Sequence, residues 1–115
     1  MYTTNMNEKQ KRAHNWYMER FEHAKDQNDW ELRRGLLLPL ARYIATGRPP
    51  QSHYLRSLLY DSLSKSIGNA DSDSMANLKS WAQLLYTYVP AAAWGSEEQV
   101  EKWEGIEFEI MEEEV

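Results

Sequence analysis

The sequence predicts an all-α protein: a compact bundle of four main helices and one short helix, followed by a short extended acidic C-terminal segment. Apolar residues recur at three- and four-residue steps through most of residues 5–104. Glycines and prolines stand between these stretches, where helices end. Strict alternation of apolar and acidic residues begins only at Ile106. We therefore expect one helical domain, residues 1–105, and an acidic tail, residues 106–115.

The first predicted helix runs from a cap at Asn5 or Asn7 to about Asn28. Its apolar residues fall on one face and its charged residues on the other, which is typical of a helix on a core. The apolar stripe consists of Ala13, Trp16, Tyr17, Phe21 and Ala24.

A second helical stretch is predicted from a cap at Asp29 to a C-terminal Gly47. Pro39 interrupts it, and proline removes one helical hydrogen bond and clashes with the preceding turn. We expect either a kink near Leu36–Leu38 or a new helix that begins at Pro39. The buried stripe is Trp30, Leu36, Leu37, Leu40, Tyr43 and Ile44.

Arg48-Pro49-Pro50 predicts an extended link, because proline disfavours helical angles in the residue before it. The third helix then extends from about Tyr54 to Ile67 and ends at Gly68-Asn69. Its apolar positions are Tyr54, Leu55, Leu58, Leu59, Leu63 and Ile67.

The fourth helix has three candidate caps and ends before Pro90. A short helix follows the alanine-rich connector, because Ser96 and Gln99 fit a capping box, and Gly105 is expected to end it. The candidate caps of the fourth helix are Asp71, Asp73 and Ser74.

The alternating segment 106–110 has the pattern of a half-buried strand without a second strand to pair with. We expect it either to lie over the helical body or to pair with another chain, and it is the predicted partner-binding segment. Its residues are Ile106, Glu107, Phe108, Glu109 and Ile110.

Charge divides the chain into two parts. Residues 1–96 hold 12 Lys/Arg and 9 Asp/Glu, a net charge of +3, whereas residues 97–115 hold one Lys and nine Glu, a net charge of −8. The tail is therefore solvated, folds onto the basic body or binds a basic partner. Duplex nucleic acid is disfavoured, because the chain is acidic in total. The absence of Cys, of a signal-peptide pattern and of a long apolar stretch predicts a cytoplasmic protein without a membrane span.

No motif indicates an enzyme, a metal site or a cofactor. The three histidines lack metal-ligand spacing, and the five isolated glycines form no phosphate-binding loop. The one arrangement that could support nucleophilic catalysis is Ser52, His53 and Asp61, without a nucleophile-elbow motif. We predict a non-enzymatic protein that folds without a cofactor.

Arginines around the second helix and the Pro-Pro link, together with nearby aromatic residues, suggest an anion site. The alternative is ordinary pairing of surface arginines with carboxylates. Trp94-Gly95-Ser96 is interpreted either as a wall of the same site or as a Trp that fills a gap between helices. The candidate ligand-binding residues are Arg42, Arg48, His53, Tyr54, Arg56, Asp61, Trp94 and Ser96.

Residues 41–103 resemble a family of small bacteriophage and prophage proteins. The resemblance is carried by a Tyr-Ile-x-x-Gly-x-x-Pro entry, a leucine-rich helix, an Ala-Asp pair, a helix that closes on proline, and a Trp-Gly-Ser turn. Where the family has Asn-Asp-Leu, this chain has Tyr60-Asp61-Ser62. The matching positions are Tyr43-Ile44, Gly47, Pro50, Leu55, Leu59, Asp61, Ala70-Asp71, Asn77, Leu78, Pro90 and Trp94-Gly95-Ser96.

The resemblance implies a phage-encoded accessory protein in the host cytoplasm that binds and inhibits a host or defence-system protein. The alternative is an oligomeric module that sequesters a nucleotide-type immune signal. An enzyme is the third hypothesis. Homo-oligomerisation is left open by the sequence.

Overall fold

The computed structural model describes residues 6–61 and 77–105, and the regular elements in these two ranges are all helical. The predicted all-α fold is confirmed, and the two described ranges contain four helices of seven or more residues and one short helix. The predicted segment 106–110 and the rest of the tail lie outside the described residues. No helix in the described ranges is long and apolar enough to cross a membrane. The helices are α1 Glu8–Asn28, α2 Arg34–Thr46, α3 His53–Leu59, α4 Leu78–Tyr88 and α5 Glu97–Lys102, with a 3-10 turn at Ala91–Ala93.

Asn7 starts α1 through a reciprocal capping box. Its side-chain oxygen accepts the backbone N–H of Gln10 at 2.8 Å, and Gln10 Oε1 accepts the backbone N–H of Asn7 at 3.0 Å. Two amides that a helix N-terminus leaves without partners are thereby satisfied. Of the two predicted caps, Asn7 is the one that the structure uses.

Asp29 ends α1, so the prediction that it begins the second helix is wrong. Its φ is 55°, in the left-handed region that a short polar side chain tolerates. The backbone N–H of Trp30 donates to Lys25 O at 2.9 Å, the hydrogen bond that closes a Schellman motif. Residues 30–33 therefore form a connector, in which Leu32 is buried, and α2 begins at Arg34.

Pro39 lies inside one continuous helix, so the alternative of a new start at Pro39 is wrong. Proline has no N–H to donate to Gly35 O, and α2 continues on either side of this missing bond to Thr46. Gly47 closes the helix as predicted, with φ 81° and its N–H on Tyr43 O at 2.8 Å. The run after Gly47 is a non-helical link, also as predicted.

The third helix ends at Leu59 and does not continue to Ile67. Asp61 has a left-handed φ of 58°, which ends helical propagation. Leu59 O, which a longer helix would pair with a later amide of its own, accepts the Gly95 N–H at 2.7 Å. A contact with a distant turn thus ends α3, and Leu63 and Ile67 lie outside the described residues.

The last two helices begin and end slightly differently from the prediction. Asn77 directly precedes α4, and the predicted caps Asp71, Asp73 and Ser74 lie outside the described residues. Pro90 follows the end of α4 as predicted. Ser96 caps α5 through the Gln99 N–H at 3.2 Å, but the helix ends at Lys102 rather than at Gly105.

The core lies where α1 packs along α2, with α3, α4 and Val100 of α5 closing its other sides. Phe21 of α1 meets Tyr88 of α4 edge to face at 6.4 Å between ring centroids. Tyr43 of α2 is fully buried, and its hydroxyl donates to Ala93 O at 2.5 Å. The 3-10 turn and α2 are therefore joined by a hydrogen bond inside the core.

The segment after α5 crosses the C-terminal end of α2. The indole N–H of Trp103 lies 3.2 Å from Tyr43 O and 3.1 Å from Ile44 O, two carbonyls of the last turn of α2. A Cβ on Gly47 would lie 2.5 Å from Trp103 O, and one on Gly105 would lie 2.5 Å from Ala45 O. Both glycines thus permit a backbone contact that a larger residue would prevent.

Candidate functional site

The arginines predicted to form one anion site have separate surroundings. Arg34 lies 3.5 Å from Glu22, an exposed ion pair between α2 and α1. Arg56 Nε donates to Pro50 O at 2.6 Å, which fixes the Pro-Pro link against α3. Arg48 is exposed, and Arg42 is half-buried on α2. Arg56 therefore has a structural contact, and Arg42 is the arginine beside a cavity.

The two predicted stacking residues at the start of α3 are divided between surface and core. His53 is exposed as the first residue of the helix. Tyr54 is 4% exposed and its ring meets Trp81 of α4 edge to face at 6.4 Å. Tyr54 is thus a core residue that packs α3 on α4.

The Trp94-Gly95-Ser96 turn makes contacts within the protein. Trp94 is half-buried and packs against the core. The Gly95 N–H is bonded to α3, and Ser96 Oγ caps α5 and donates to Gln99 Oε1 at 3.2 Å. The Gly95 bond thus joins this turn to α3, and the Ser96 bonds lie within the first turn of α5.

The arrangement considered for catalysis is not assembled. Ser52 caps the N-terminus of α3 by accepting the Leu55 N–H at 3.2 Å, whereas Asp61 lies beyond its C-terminus. The seven residues of α3 and Tyr60 lie between them, which corresponds to roughly 13 Å along the helix axis. Among the described residues, no three His, Asp or Glu side chains are grouped as metal ligands would be.

A groove with the volume of a small-molecule site lies between α1, α2 and the link to α3. Its volume is about 480 Å³, within the range of small-molecule sites. It is open to solvent, and none of its described lining residues is acidic. We call it the α1–α2 groove; its lining residues are Met6, His14, Gly35, Leu36, Leu38, Pro39, Arg42, Gln51 and Ser52.

The antiparallel packing of α1 and α2 sets the geometry of this groove. Arg34 at the start of α2 pairs with Glu22, and Arg42 two turns later lies at the same groove as His14 of α1. Lining residues on α2 run from Gly35 to Arg42, which corresponds to roughly 10 Å of helix axis. The α2 lining of the groove thus reaches from Gly35, near the N-terminus of the helix, to Arg42, which lies farthest from it.

Most of the groove was not anticipated from the sequence, because of the predicted ligand residues only Arg42 lines it. One signal was present in the run Leu36-Leu37-Leu38. Three consecutive leucines spread over about 200° of a helix, wider than one core-facing stripe needs. The core takes Leu37, which is fully buried, and leaves Leu36 and Leu38 half-buried at the groove.

Comparisons with known proteins identify no relatives: no family model, no curated protein and no solved structure matches this chain.

Proposed function

We propose that this chain is a non-enzymatic binding protein that holds a small organic anion in the α1–α2 groove. One observation carries the proposal: an apolar groove of about 480 Å³ has an arginine, Arg42, and no acidic residue among its described lining residues. An apolar wall removes a ligand's carbon surface from water, and a guanidinium favours a negative group beside it.

The polar groups of the groove are suited to binding rather than to turnover. The described polar residues of the groove are His14, Arg42, Gln51 and Ser52. The Ser52 hydroxyl accepts the N–H that caps α3, and Asp61 lies at the other end of that helix. These groups can orient an anion, and they include no carboxylate to orient His14 as a base.

Gly35 offers a direct test, because it lines the groove and a Cβ placed on it would meet nothing within 4 Å. Gly35→Leu places a large side chain at the lining of the groove, at a position where the added Cβ itself has no steric clash. We expect ligands that raise the melting temperature of the wild type to have no effect on this variant. Ala82→Leu, at an exposed position of α4, is the matched control and should bind as the wild type does.

A thermal-shift screen of carboxylates, phosphate esters and nucleotides, cyclic dinucleotides included, supplies the ligands. A ligand at a hundred times its Kd stabilises the folded state by about 2.7 kcal/mol. Stabilisation of wild type and Ala82→Leu but not of Gly35→Leu would support the groove as the site. Equal stabilisation of all three proteins, or none by any compound, would contradict it.

A second candidate function is inhibition of a host or defence-system protein, as the phage-protein resemblance implies. The charge distribution favours it, because residues 97–115 carry a net charge of −8 and alternate apolar and acidic residues from Ile106. A segment of that composition suits a partner with a basic, partly apolar surface.

Affinity capture with the full chain and with residues 1–105 tests this candidate. Recovery of one partner by the full chain alone would support binding through the tail. Equal recovery by both would remove the tail from the interaction, and no recovery would count against the candidate.

A further inference from the structure

The walls of the α1–α2 groove are aliphatic. Met6, Leu36, Leu38 and Pro39 supply its apolar surface, and its described lining residues include no Phe, Tyr or Trp. Sites for nucleobases commonly provide aromatic faces on which the base stacks. Flexible or branched aliphatic side chains instead fit a ligand that has no flat face.

The groove is also polar at one end. On α2 the lining begins at Gly35, passes Leu36, Leu38 and Pro39, and ends at Arg42. His14 of α1 adds a second nitrogen-bearing side chain, and the link between α2 and α3 adds Gln51 and Ser52. An elongated ligand therefore meets hydrocarbon along the first half of α2 and a guanidinium at Arg42.

We propose that the ligand of the α1–α2 groove is an unbranched aliphatic chain that ends in an anionic group. The chain lies along Leu36, Leu38 and Pro39, and the anion is placed at Arg42. The inference rests on the proposed function and specifies its ligand class. A carboxylate and a phosphate monoester share this chemistry, so both are included in the test.

The test is isothermal titration of the full chain with hexanoate, octanoate and decanoate, and with octyl phosphate. Each CH2 fully removed from water contributes about a fourfold gain in affinity. Because the groove is open to solvent, each CH2 is only partly removed from water, and we expect the Kd to fall about two- to fourfold per added CH2. Decanol, which keeps the chain and lacks the anion, should bind at least tenfold more weakly than decanoate. Adenosine monophosphate should show no binding.

Two variants locate the ligand. Gly35→Leu should abolish decanoate binding, whereas Ala82→Leu should bind with the wild-type Kd. Arg42→Gln should raise the Kd for decanoate at least tenfold and change the Kd for decanol less than twofold. Circular dichroism checks that this variant folds. Unchanged decanoate binding in Gly35→Leu would place the chain elsewhere and overturn the inference.

The outcomes separate this inference from the proposed function. If nucleotides bind in a Gly35-dependent way and aliphatic anions do not, the groove is a ligand site and the aliphatic assignment is wrong. If no class of anion binds in a Gly35-dependent way, both are wrong. Affinity that does not rise with chain length would also overturn the assignment to an aliphatic chain.

Discussion

Tyr43→Phe tests the hydrogen bond that joins α2 to the last part of the described chain. The hydroxyl donates to Ala93 O at 2.5 Å and lies 3.5 Å from Val100 O, and Tyr43 has 0% exposure. Phe keeps the ring and its packing. Any loss of stability therefore comes from the missing hydroxyl and from a buried carbonyl left without its donor. We expect the free energy of unfolding to fall by about 1–3 kcal/mol. The melting temperature should fall by about 4 °C for each kcal/mol.

Urea unfolding followed by far-ultraviolet circular dichroism measures this loss. Tyr86→Phe is the matched control, because Tyr86 is 83% exposed and its hydroxyl can be replaced in the same way. The control should remain within about 0.5 kcal/mol of the wild type. A Tyr43→Phe protein as stable as the control would refute the assigned hydrogen bond.

The wild type and Tyr43→Phe should also differ in how their stability changes at alkaline pH. Burial, and to a smaller extent Tyr60, raises the pKa of Tyr43 above its ordinary value of 10.0. The folded state thus prefers the neutral phenol, so this contribution is complete below pH 10.0 and is lost as the pH rises toward the folded-state pKa. We expect the wild type to lose more stability than Tyr43→Phe between about pH 9 and 11. Parallel pH profiles would contradict the assignment.

Three further substitutions test local geometry. Gly47→Ala should lower the free energy of unfolding by about 2 kcal/mol or more, because φ is 81° and the added Cβ would lie 2.5 Å from Trp103 O. Gly35→Ala should instead stabilise the protein by up to about 1 kcal/mol, because its Cβ lies in a helix and meets nothing within 4 Å. Calorimetry measures both variants, and equal effects of Gly47→Ala and Gly35→Ala would argue against the close contact of Gly47 with Trp103 O. Asn7→Ala removes the box with Gln10 and should destabilise by about 1 kcal/mol, with faster hydrogen exchange in the first turn of α1. Unchanged exchange there would mean that another group caps the helix.

The sequence determined the features whose causes lie within a few residues. Asn7 and Gln10 form a box three residues apart, and Gly47 can adopt a positive φ that ends a helix. Pro90 cannot continue the hydrogen bonding of α4, and Ser96 caps the next helix through Gln99. Each depends on the geometry of one turn, so a local pattern is sufficient to predict it.

Tertiary contacts decided the rest. α3 ends at Leu59, where a carbonyl accepts the N–H of Gly95 from a turn 36 residues away in the chain. Asp29 is of a residue type that commonly precedes a helix, yet its backbone adopts the left-handed conformation that ends α1. Propensity did not distinguish these outcomes, because the side chain is suited to both ends.

The candidate site, too, was decided by tertiary contacts. The sequence placed an anion site at arginines that are neighbours along the chain, whereas the groove combines residues of α1, α2 and the link to α3. Which leucines of α2 face the core, and whether His14 lies beside Arg42, depend on how α1 packs against α2. Periodicity therefore determined that this chain is helical, and the packing of its helices determined where a ligand can bind, because a groove exists only between elements that have already been brought together.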